Sequence, residues 1–135
     1  MRAWTTIDDL LQSISVALFP ADEGRRRVAI DSRDCDGDTP LHVLVWRKNI
    51  GGAKALIEAG ADVNAVGDMG ETPLHVAVRQ LLPDVVESLL VAGADPDLRS
   101  EFGSTPREMA HARGGVVARI FKAPRAGVSG RARGT

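Results

Sequence analysis

A fixed step of 33 residues constrains this chain more than any other feature. The phrase Gly37-Asp38-Thr39-Pro40-Leu41-His42 returns as Gly70-Glu71-Thr72-Pro73-Leu74-His75. It returns again, partly eroded, as Gly103-Ser104-Thr105-Pro106-Arg107-Glu108. A second phrase keeps the same step: Glu58-Ala59-Gly60-Ala61-Asp62-Val63-Asn64 recurs as Val91-Ala92-Gly93-Ala94-Asp95-Pro96-Asp97. Two independent phrases in one register, with no insertion, are the mark of stacked structural repeats.

Each phrase has a local reading. The Gly of Gly-x-Thr-Pro permits the positive φ of a tight turn. The Thr caps a helix, and the Pro takes its first turn, where a missing N–H costs nothing. First helices are therefore expected at 40–47, 73–80 and 106–113, and second helices at 50–59, 83–92 and 116–122. Gly60 and Gly93 fall at the left-handed exits of second helices. Leu41, Val43 and Leu44, like Leu74, Val76 and Ala77, form the inner face. A lone helix pair has nowhere to bury that face, and stacked neighbours supply the burial.

The Thr-Pro-Leu-His opening and the Ala-Gly-Ala-Asp close resemble ankyrin repeats over residues 30–123. The resemblance implies an all-α solenoid of stacked helix-turn-helix units with projecting hairpin loops and helical caps. Units are expected at 32–64, 65–97 and 98–122. In the third, Arg107 replaces a buried Leu, Glu108 replaces the His, and Gly114-Gly115 loosens the turn. Those changes suit a C-terminal cap, which shows water a surface that inner repeats bury. Residues 1–31 read as an N-terminal helical cap or degenerate repeat. A helix over 5–19 carries Ile7, Leu10, Leu11, Ile14 and Leu18 on one stripe, with Thr6 as N-cap and Pro20 at its end. Asp22 to Arg27 could add one short turn. Residues 123–135, rich in Gly, Ala and Arg, read as a disordered basic tail.

Composition narrows the function classes. The net charge of -1 gives no general preference for nucleic acid or membrane. Charge is uneven: Asp31 to Asp38 holds four Asp, whereas Arg113 onward is basic without one acid. The single cysteine, Cys35, cannot form an internal disulfide and fits a reducing compartment. No signal peptide or apolar run of membrane-spanning length is seen, so the cytoplasm is the expected location. Abundant Ala, Arg and Gly without Tyr suggest a bacterial source.

Residue types that carry chemistry do not converge. His42 and His75 occupy equivalent repeat positions with no second ligand three or four residues away. The resemblance implies that their rings hydrogen-bond within the helix–loop junction. His111 reads as a surface residue. Asp34, Asp36 and Asp38 surround Gly37, but a calcium loop with Gly37 sixth would start at Ser32 and end at Val43, and both fail. Gly51-Gly52, at the start of a second helix, and Gly114-Gly115 are expected as turn glycines and not as a phosphate loop. Cys35 has no adjacent histidine. No enzymatic activity, cofactor, metal or small-molecule substrate is expected.

Surface recognition remains. The resemblance places binding at loop tips and on the exposed side of first helices. In this chain those positions include Arg33, Cys35, Asp36 and Asp38, then Val66, Asp68, Met69 and Glu71, then Arg99, Glu101, Phe102 and Ser104. The helix positions are Trp46, Arg47, Arg79, Gln80, Ala112 and Arg113. Large apolar groups on such a face, with Arg beside them, mark a partner site. The expected contacts are Arg33, Asp38, Trp46, Arg47, Asp68, Met69, Glu71, Arg79, Glu101 and Phe102. The expectation is an adaptor or scaffold binding another protein, as a monomer, with a homodimer through the apolar face as the other state. Two rivals are a dedicated inhibitor of a toxin or enzyme, and a nucleic-acid accessory led by the basic tail.

Overall fold

A computed structural model describes residues 6–14 and 28–122. The expectations for Leu18, Pro20, the Asp22–Arg27 turn and the basic tail lie outside the described residues. Among the latter are seven α-helices: α1 (Ile7–Ser13), α2 (Pro40–Trp46), α3 (Ile50–Glu58), α4 (Pro73–Arg79), α5 (Pro83–Val91), α6 (Pro106–Arg113) and α7 (Gly115–Lys122). A 3-10 turn, Asp68–Gly70, sits in the loop before α4.

Local chemistry starts and stops these helices. Thr39, Thr72 and Thr105 have extended backbone and accept from the amides of His42, His75 and Glu108, with Pro following each. Helices α3 and α5 end alike. The amides of Gly60 and Ala61 return to Ile57 and Leu56, and those of Gly93 and Ala94 return to Leu90 and Leu89. Gly60 and Gly93 hold φ of +98° and +101°, so these ends are Schellman motifs with Gly in the left-handed position. The Asp cluster of the first loop is turn chemistry: Asp34 Oδ1 accepts from the amides of Asp36 and Asp38, both at 2.9 Å.

Helix α1 is shorter than the 5–19 expected. Its C-cap is Ile14, at φ −107°. Leu10, Leu11 and Ile14 are buried and Ile7 packs beside them. Thr6 caps α1 by accepting from Asp9 N at 3.0 Å. Thr6 also stands one 33-residue step before Thr39. Helix α1 thus begins at the repeat position of a first helix, a register that the missing Pro and His had hidden.

The helices form two rows. In one, α2, α4 and α6 pack in succession; in the other, α3, α5 and α7 do, with α1 touching α3. Within each unit the first helix packs on the second. Leu41, Leu44, Leu56, Leu74 and Leu89 are fully buried between the rows, each contributing about 2 kcal/mol. In the third unit Arg107 is half-buried, and its Nε lies 2.9 Å from Asp97 Oδ1. That guanidinium holds the Asp97 carboxyl below the usual carboxylate range.

Candidate partner-binding cleft

The loops before α2, α4 and α6 lie side by side because, besides the donation from Arg33 Nη1 to Val66 O, three kinds of bond join them. The first kind uses histidine. His42 Nδ1 accepts from Thr39 N at 3.1 Å, so Nε2 carries the proton and donates to Glu71 O at 3.0 Å in the next loop. His75 repeats this with Thr72 N at 3.0 Å and Ser104 O at 3.0 Å. Both rings are fully buried, and burial pushes both pKa values down. The second kind is Asp38, whose Oδ1 accepts from Asp68 N at 2.9 Å. The third is main chain: Glu101 N donates to Met69 O at 2.9 Å. Glu108, in the third histidine position, accepts from Thr105 N at 3.2 Å.

This stitching fixes a cleft of about 270 Å³ between the first two loops and helices α2 and α4. It is lined by Asp38, Trp46, Asp68, Met69, Glu71, Val76 and Arg79. Trp46 is 42% exposed and Met69 49%. Glu71 and Arg79 form a two-pronged ion pair on the cleft wall. The Arg79 guanidinium also lies 6.0 Å from the Trp46 ring centroid, within cation–π range. Its bonds to Glu71 raise its pKa further and hold the charge in place. Burial, followed by the neighbouring Asp34 and Asp68 carboxylates, raises the Asp38 pKa, against the lowering effect of the Asp68 amide and His42.

The structure gathers six of the ten expected contact residues here: Asp38, Trp46, Asp68, Met69, Glu71 and Arg79. One of these needs correction. Glu71 was expected on the exposed loop surface, yet it is only 4% exposed. Its carboxylate is turned inward by Arg79, eight residues later, a pairing no local rule signals. Four expected contacts lie elsewhere. Arg33 is exposed, but its Nη1 donates to Gly37 O at 2.7 Å and Val66 O at 2.8 Å. Arg47 is exposed at the end of α2 without lining the cleft. Glu101 and Phe102 occupy the third loop, where Phe102 is 68% exposed.

Sequence reasoning missed Val76, which lies at the cleft with 1% exposure. It also missed a groove of about 310 Å³ on the row of second helices, lined by Lys54, Ile57, Glu58, Glu87, Ser88, Val91 and Ala92. Val91, 66% exposed, stands at its rim. No helix of the described residues is long and apolar enough to cross a membrane.

No curated protein matches the chain. A family model for ankyrin repeats, in three copies, matches residues 18–100, more than half of the sequence. With the Thr-capped helices, the two helix rows and the histidine-stitched loops, that match shows that the chain belongs to the ankyrin-repeat family.

Proposed function

We propose that this protein is a non-enzymatic recognition module, an adaptor or scaffold that binds another protein through the cleft between its first two loops. Ankyrin repeats generally mediate protein–protein interaction. The observation that carries the reading for this cleft is the trio Trp46, Met69 and Arg79. Two large apolar side chains stay half in water beside a guanidinium that Glu71 already holds in place. An Arg fixed before binding loses less side-chain freedom on association. Trp and Arg are the types that dominate interface energies.

Capture of the native partner by the full chain, followed by mass spectrometry, tests this reading. Trp46→Ala should weaken the captured complex by about 2 kcal/mol. Its melting temperature should stay near that of the parent, because Trp46 is outside the buried core. Unchanged affinity together with a melting loss of many degrees would instead make Trp46 a packing residue. A single tight partner would favour the inhibitor version, and several partners the adaptor.

A further inference from the structure

The charges around the cleft do not cancel, and this says what a partner should present. Glu71 and Arg79 neutralise one another through their two-pronged pair. Asp38 and Asp68 then remain, so the lining residues carry a net charge of about -2. The Asp38 carboxylate is half-buried and holds the Asp68 amide. The Asp68 side chain is exposed, at the mouth. Among the described residues, Arg33 is committed to the carbonyls of Gly37 and Val66, and Arg79 to Glu71. Beside the two carboxylates lie the apolar surfaces of Trp46 and Met69, with Val76 buried beneath.

A long basic side chain has matching chemistry. Its aliphatic stem covers apolar surface while its head keeps a charged partner. We propose that the cleft accepts an arginine or lysine side chain from the surface of the partner protein. This rests on the reading of the cleft as the partner site and names the chemistry that the site selects. The stem lies against Trp46 and Met69, and the cation meets Asp68 at the mouth and Asp38 behind it. An acidic partner segment meets two carboxylates beside a guanidinium already held by Glu71 and is disfavoured by like charge.

The test is a titration of the full chain with acetyl-leucyl-arginine amide, followed by the nuclear magnetic resonance of its indole and amide groups. The matched probe is acetyl-leucyl-citrulline amide, which keeps the shape and loses the charge. A third probe carries glutamate. The indole signal of Trp46 is assigned with Trp46→Phe, which separates it from Trp4. At probe concentrations up to about 20 mM, within reach of millimolar affinity, the arginine probe should shift the Trp46 indole and the Asp68 amide. The citrulline probe should bind about five-fold more weakly. Asp68→Asn keeps the amide that Asp38 holds, and should bring the two probes together. Equal binding of the arginine and citrulline probes, stronger binding of the glutamate probe, or no response to any probe would overturn the basic-residue inference. Each of those results leaves the cleft as partner site standing if Trp46→Ala still weakens the captured complex. A captured complex indifferent to Trp46→Ala would sink both.

Discussion

His42 performs two tasks of opposite polarity. Its Nδ1 accepts a hydrogen bond from Thr39 N while its Nε2 donates one to Glu71 O. Only a neutral ring with its proton on Nε2 does both. Gly67 belongs to the same arrangement, although its own φ of −112° suits any residue. A Cβ there would fall 2.3 Å from Asp38 Oδ1 and 2.9 Å from His42 Nε2. Those two atoms hold Asp68 N and Glu71 O, so neither moves without loosening a bond between repeats. Gly67→Ala should therefore cost about 1–3 kcal/mol, read as a lower urea midpoint at unchanged slope. A midpoint equal to the parent's would mean that the junction yields freely. The His positions were legible in the sequence, because the Thr-Pro-Leu-His phrase states them. Gly67 and the inward turn of Glu71 were not, because both depend on atoms of other loops or of α4.

Helix ends show where local chemistry and the stack disagree. Helices α3 and α5 leave through Gly60 and Gly93, which adopt the left-handed conformation without strain. Helices α2 and α4 make the same exit through Lys48 and Leu81, at φ +59° and +57°. The amides of Leu81 and Leu82 return to Val78 and Ala77, so the hydrogen bonds of the motif are complete. The strain of a side chain in that region remains, and Leu81 recovers little by burial, being 49% exposed. Leu81→Gly should raise stability by about 0.5–1 kcal/mol, the relief of strain exceeding the added freedom of the unfolded chain. Calorimetry would show a higher melting temperature; a lower one would mean that Leu81 packs more than its exposure implies. These exits were invisible to glycine-based reading. The start of α1 was visible in principle, since Thr6 keeps the 33-residue step, but one conserved letter of a six-letter phrase carried too little signal.

At the scale of the whole stack, stability passes through histidines that must stay neutral. His42 and His75 both have pKa values lowered below the ordinary 6.5, chiefly by burial. A lowered histidine pKa means that the unfolded chain binds protons first as pH falls. The stability held by the neutral rings is complete well above 6.5 and drains as pH drops through 6.5 toward the folded values. The slope is up to about 1.4 kcal/mol per pH unit for each ring. The shifted carboxyls act in opposite senses: Asp97, lowered, loses stability as pH falls below its ordinary 3.8, whereas Asp38, raised, gains it as pH falls from above toward 3.8. Urea unfolding between pH 7.5 and about 5 should thus show falling midpoints, and His75→Gln should flatten the fall. A flat profile in the parent would contradict the neutral-ring stitch. The repeat step, the helix order and the Thr, Pro and Gly punctuation came from sequence alone, because each depends on residues within a few positions of one another or on a constant spacing. The stack itself decided which exposed positions meet. Trp46, Met69 and Arg79 share one cleft only because neighbouring loops are stitched through His42 and Asp38, contacts that span about thirty residues. Exposure, pairing and net charge at that cleft follow from packing between repeats, and no single repeat contains them.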